Sequence, residues 1–205
     1  MVSEISMNKA WEKMMKIFLE TCKSQNVCGR EYFFLTNCIL QIKNYNLESF
    51  LSPQCLWQLK SKEYYISQIS TPGKYSEMQR LYAYGDKRID QYKWAVDAIK
   101  KRKSIKPIVL SIYDPYKDHR DNVTTPCINN IVIDVNHNTI NMYTYYSTMN
   151  LFRMGLFDII QMGHLHHKIA KDSNKKVGTL NIFINKVYMP IFDYMISMEI
   201  FNNKG

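Results

Sequence analysis

The stretch TTPCINNIVIDVNHNTINMYTYYSTMNLFRMGLFDII, residues 124–160, decides the fold. Within it, residues 127–135 and 139–146 each alternate apolar and polar side chains, the period of a half-buried strand. Asn136, His137 and Asn138 lie between the two runs, and the pattern predicts a hairpin with a three-residue turn. Cys127 follows Pro126 at the start of the first strand. From Ile159 to Ala170 the apolar spacing changes to three and four, so a helix follows.

Working outward, residues 179–188 return to strand character. Upstream, residues 108–113 (IVLSIY) are short, apolar and β-rich, which predicts a strand buried on both faces and broken by Asp114-Pro115. Residues 92–99 have helical spacing, and the KKRK run at 100–103 would lie at that helix's C-terminus, where the macrodipole favours cations. Residues 53–69 read as a helix opened by Ser52 and Pro53. Residues 32–42 (YFFLTNCILQI) read as a strand. Residues 7–23 form an amphipathic helix whose apolar stripe contains Trp11, Met14, Met15, Phe18, Leu19 and Cys22. Strands and helices mix without regular alternation, so the expected class is α+β, with one large mixed β-sheet flanked by helices. A chain of 205 residues with 46% hydrophobic composition suffices for one sizeable core, and residues 1–205 are expected to form one domain.

The formal charge of +9 suits an anionic partner, but the densest basic run is a helix end without interleaved aromatic residues, so a nucleic-acid surface is not expected. The five cysteines are an odd number lacking a CxxC pair, in a chain with no export signal or apolar span, which points to reduced thiols in a cytoplasm and to no membrane partner. His164, His166 and His167 cluster on the helix after the hairpin. No glutamate-containing zinc motif accompanies them, so no metal site is expected.

Further features fall in a fixed order: Gly29-Arg30; Leu56-Trp57-Gln58-Leu59; Tyr84-Gly85 and then Arg88-Ile89-Asp90-Gln91; Pro126-Cys127; Gly155-Leu156-Phe157-Asp158-Ile159; and Val187-Tyr188. In this order they resemble the thymidylate synthase and pyrimidine hydroxymethylase family over about residues 28–194. The resemblance implies that fold, and a cysteine thiolate, here Cys127, that adds to C6 of a pyrimidine and makes C5 nucleophilic. It implies 5,10-methylenetetrahydrofolate as one-carbon donor and a homodimer, its sheets back to back, in which residues around Lys106 enter the neighbour's site.

Carried over residue by residue, the implied catalytic set is Cys127, Gln54 and Tyr84. The implied substrate-binding set is Arg30, Lys106, Tyr146, Ser147, Asn150, Asp158, Lys186 and Tyr188. The pattern is altered at many of these positions. Gln54 stands where the family has a proton-handling glutamate, and Ile128 where it has a histidine. Lys106-Pro107 and Ser147 replace phosphate-binding arginines, which removes guanidinium forks from the expected phosphate clamp. Asn150 replaces an aspartate, and Lys186 a sugar-binding histidine. The chain stops at Gly205 without an obvious counterpart of the closing C-terminal tail, so hydroxymethyl and not methyl transfer is expected. Asp158 stands where an asparagine reads uracil and an aspartate reads cytosine; it also suits the cap of a helix starting at Ile159. Two main readings stand: a one-carbon transferase on an unphosphorylated pyrimidine-like ring, or an altered pseudoenzyme that binds a ligand or a companion subunit, as in a heterodimer. A basic nucleic-acid binder is the third.

Overall fold

The computed structural model describes residues 1–43, 45–47, 51–55, 59–73, 76–101, 106–119 and 125–202, with residues 59–62 as backbone alone. In chain order its strands are β1 (Val2–Glu4), β2 (Lys23–Val27), β3 (Arg30–Ile42), β4 (Ile108–Ser111), β5 (Ile128–Asn136), β6 (Thr139–Asn150) and β7 (Lys176–Pro190). They make one sheet in the order β1-β3-β7-β6-β5-β4, with β2 folded back onto β3. The β1–β3 and β6–β7 pairs are parallel and the others antiparallel, so the sheet is mixed, as the sequence predicts. The helices are α1 (Met7–Thr21), α2 (Leu59–Ser67), α3 (Gln79–Tyr82), α4 (Gln91–Lys100), α5 (Pro115–Asp118), α6 (Leu156–Asp172) and α7 (Ile191–Asn202).

Helix α1 starts where the Ser6 hydroxyl accepts from the Lys9 N–H. It buries Met7, Ala10, Trp11, Met14, Met15 and Phe18. Trp11 also donates its indole N–H to the Leu151 carbonyl at 2.8 Å, which fixes α1 to the π-helical turn Leu151–Gly155 leading into α6. That turn is locked from its other side by Arg153, whose guanidinium holds the buried Asp193 carboxylate of α7 with contacts of 2.6 to 2.9 Å. The inner sheet face supplies Ile131, Ile133, Ile140, Met142, Leu180 and Ile182, all at most 1% exposed. Behind it, His166 of α6 is fully buried. Its Nε2–H donates to the Ile140 carbonyl at 2.9 Å and its Nδ1 accepts from the Tyr45 hydroxyl at 2.8 Å.

Several expectations are corrected in detail. The hairpin turn has two residues, because Asn136 stays paired with Thr139 while His137 takes a φ of 51°. Strand β4 lies at the sheet edge and pairs with β5, so Val109 is 51% exposed and the strand is not buried on both faces. The second helix begins at Leu59, because Ser52 and Pro53 belong to a separate turn in which the Ser52 hydroxyl accepts from the Gln54 N–H. Helix α6 begins at Leu156, its N-cap is Gly155 and has no side-chain cap bond, so Asp158 lies inside the first turn and is not the N-cap. Of the KKRK run, Lys100 and Lys101 end α4; residues 102 and 103 lie outside the described residues, as do Leu56, Trp57 and Gln58.

Candidate functional site

The register of β5 against β6 shifts between Ile128 and Asn130. A bulge of this kind re-aims neighbouring side chains. Here Asn129 bends outward, its carbonyl accepting from both the Ile112 and Tyr113 N–H groups at 2.9 Å, and Tyr146 comes to lie opposite Ile128. The Pro126-Cys127 segment before the bulge is held on two sides. From β6, the Ser147 N–H donates to the Cys127 carbonyl at 2.8 Å and its hydroxyl donates to the same oxygen at 3.1 Å. From the segment before α3, the Glu77 carboxylate accepts the Cys127 N–H at 2.8 Å and the Ile128 N–H at 3.5 Å.

Beside Cys127 opens a cavity of about 400 Å³. The sheet side gives Cys127, Ile128, Tyr146, Asn150 and Tyr188; α6 gives Asp158 and Gln161; α2 gives Tyr64 and Tyr65, with Gln68 just after it; and Glu77 and Met78 close it. The α2 wall is pinned to α6: Tyr65 stacks on Phe157 with centroids 5.3 Å apart, and Gln161 donates its amide to the Tyr65 carbonyl at 2.8 Å. Tyr188 is braced edge-on by Tyr32 at 6.3 Å. Tyr64 is 59% exposed, so this wall also meets solvent.

The electrostatics are those of a desolvated acidic site. Burial pushes the Asp158 carboxyl well above the usual carboxylate range, and the neighbouring Glu77 pushes it further. Glu77 is itself raised by burial, against the two backbone N–H groups that favour its charged form. Burial raises the Cys127 thiol too, with Glu77 adding to the effect, while the Thr148 hydroxyl at 3.8 Å from Sγ opposes it. The Tyr146 hydroxyl is buried and finds no hydrogen-bond partner among the described residues.

Five of the residues picked from the sequence therefore meet at one cavity: Cys127, Tyr146, Asn150, Asp158 and Tyr188. The others do not line it. Gln54 sits in the turn beside Ser52. Tyr84 donates to the Tyr113 carbonyl at 2.8 Å. Arg30 is exposed in the β2–β3 hairpin, and Lys106 is exposed ahead of β4. Ser147 is used in holding Cys127, and the Lys186 ammonium lies 5.2 Å from the centre of the Phe34 ring. Asn150 has a second task, since its side chain accepts the Arg153 N–H at 3.1 Å and so starts the π-helical turn.

Sequence reading missed Glu77 and the tyrosine pair of α2. Glu77 carries no local signature, because its partner is fifty residues away; the apolar spacing of Met78 and Leu81 gives a short helix but not what precedes it.

A family model described as thymidylate synthase matches residues 35–194. The chain belongs to the thymidylate synthase family. The match covers most of the sheet and all of the cavity-lining residues, and leaves β1, α1 and β2 before it. A search of curated proteins gave no match. Membership assigns the fold to a family that transfers one-carbon units to C5 of pyrimidines. No helix among the described residues is long and apolar enough to cross a membrane.

Proposed function

We propose that this thymidylate synthase-like protein transfers a one-carbon unit, as hydroxymethyl, to C5 of an unphosphorylated pyrimidine-like ring, with Cys127 as nucleophile. The observation that carries the reading is the placement of the Cys127 thiol, the Asp158 carboxyl and the Tyr146 hydroxyl around one cavity large enough for a small ligand. The Cys127 sulfur adds to C6, the C5–C6 π bond opens, and its electron pair goes to C5. C5 then bonds the incoming carbon and loses its own proton, and the thiolate leaves from C6 as the double bond re-forms. Tyr65 and Tyr188 offer the ring aromatic faces. Asp158 reads an amino-substituted ring: as a carboxylate it accepts twice, from the exocyclic amino group and from the ring N–H gained when sulfur adds. An amino-bearing ring also gives that carboxyl a reason to ionise in a site that otherwise resists it.

5,10-Methylenetetrahydrofolate, which the family uses, supplies the carbon at the formaldehyde level. The residues present fit it in one respect, since Tyr64 and Tyr65 form a partly solvent-facing aromatic wall at the cavity. With the carbon delivered, its bond to the folate nitrogen would break, tetrahydrofolate leaving with that nitrogen protonated, and water would take its place and lose a proton, so that C5 carries hydroxymethyl. We place the protein in a homodimer, formed through the outer sheet face. There Tyr145 stacks on Phe183 with centroids 5.0 Å apart and remains 38% exposed, a surface suited to a second sheet.

Release of tritium from C5 of cytidine and uridine tests the nucleophile, because addition at C6 exchanges the C5 hydrogen even without turnover. The wild type is expected to release it and Cys127→Ser is expected to fall to the background rate, since a hydroxyl of similar volume is a far weaker nucleophile. Equal rates in both would remove Cys127 from the mechanism. The second reading, a ligand-binding pseudoenzyme, is favoured by one observation: the thiol is raised, where an activated thiol is lowered by nearby cations. Binding without exchange in the wild type would select it.

A further inference from the structure

The cavity has two carboxyl groups, Glu77 and Asp158, and among its described lining residues no lysine, arginine or histidine. Arg80 lies close enough to favour the Glu77 carboxylate, but it is committed elsewhere: its guanidinium holds Asp118 at 2.6 and 2.7 Å and the Ile112 carbonyl at 2.6 Å. An independent observation points to a missing partner. Tyr146 is only 3% exposed, faces the same cavity, and keeps a buried hydroxyl without a hydrogen bond among the described residues. The Asp158 carboxyl lines the same cavity from the first turn of α6.

We propose that the natural ligand of this cavity carries a positive charge, on its ring or on an attached amino group, held between Glu77 and Asp158, with the Tyr146 hydroxyl donating to a ring acceptor. This deepens the reading of the cavity as the pyrimidine-like site and rests on it. A buried cation is tolerated only when paired, and two carboxyls meet that requirement. The same two groups disfavour a dianionic phosphate, which would meet like charge in a desolvated site. Tyr65 and Tyr188 add ring faces to which a cation is attracted. The class indicated is a protonated amino-heterocycle that also bears a carbonyl. Such a charge would favour the Cys127 thiolate, supplying from the ligand a cation that none of the described lining residues places beside the sulfur.

Two probes of nearly the same shape isolate the charge: benzamidine, protonated near neutral pH, and benzamide, which is neutral. Calorimetric titration of the wild type is expected to show benzamidinium binding at least tenfold tighter. Glu77→Gln keeps a side-chain oxygen for the 2.8 Å bond from the Cys127 N–H and gives up only the long 3.5 Å contact with the Ile128 N–H, and Asp158→Asn removes the charge at nearly unchanged shape, so both are expected to fold; each is expected to cut the preference at least threefold. Equal binding of the two probes, no binding of the cation, or tighter binding of cytidine 5′-monophosphate than of cytidine would overturn the proposal. C5 exchange is read separately. A preserved cation preference with no exchange would end the transferase reading and leave this one intact, and exchange without cation preference would do the reverse.

Discussion

Helix α6 carries two buried polar groups that are treated in opposite ways. His166, in its middle, is fully enclosed, and each ring nitrogen has a partner, the Tyr45 hydroxyl and the Ile140 carbonyl. Asp158, in its first turn, is pushed toward its neutral form by burial and by Glu77, and faces a cavity it shares with the unpartnered Tyr146 hydroxyl. A satisfied polar cluster fixes the fold and has nothing left to offer a ligand. An unsatisfied one destabilises the protein until something binds, which is how a binding site differs from a core. The histidine cluster that drew attention in the sequence thus contains a structural residue, whereas the single aspartate eight positions earlier borders the site.

The largest stability effect should come from the satisfied side. His166→Phe leaves the Tyr45 hydroxyl and Ile140 carbonyl without partners at roughly 1–3 kcal/mol each. A total loss of about 3 kcal/mol should lower the melting temperature by about 6–12 °C in a chain of this size, while pyrimidine affinity at a temperature where the protein is folded stays unchanged. Melting that matches the wild type would erase the distinction between the two regions.

The same histidine sets a pH dependence. Burial lowers its pKa to about 4, from an unfolded value of about 6.5. The unfolded chain therefore binds the proton first, and the stability held above about pH 6.5 is lost as the pH falls toward 4, by about 3 kcal/mol in all. Denaturant unfolding across this window should show the loss in the wild type and a flatter profile in His166→Phe. A pair of hydroxyl deletions gives a smaller effect of opposite sign. Tyr45→Phe removes a made hydrogen bond and should cost about 1 kcal/mol, whereas Tyr146→Phe removes an unmade one and should be neutral or stabilising by up to about 1 kcal/mol. Equal losses in both would show that Tyr146 has a partner after all.

Much of this fold is legible in local pattern. The β-rich composition of residues 32–42, the alternation in residues 127–135 and 139–146 and the apolar stripe of α1 specify strands and a helix that the structure contains, because a half-buried strand or helix carries its period in the sequence. Pattern misjudges β4, since an apolar run does not say how many neighbours a strand has. The site is legible only as far as its residues follow the family's order. Cys127, Tyr146, Asn150, Asp158 and Tyr188 are singled out that way and line one cavity; Glu77, which lines it too, is not, because a carboxylate meeting a backbone N–H fifty residues away leaves no trace in spacing. Nor does a sequence show that Asp158 is crowded by a second acid, which depends on where the two chain segments meet.

The most direct test of the account is calorimetric titration of wild type and Asp158→Asn with cytidine and uridine, alongside their melting temperatures. The account predicts unchanged melting and a shift of preference from cytidine toward uridine of tenfold or more, about 1.4 kcal/mol, because the amide exchanges one acceptor for a donor. Equal preference in both proteins, or no binding of either nucleoside, would contradict it.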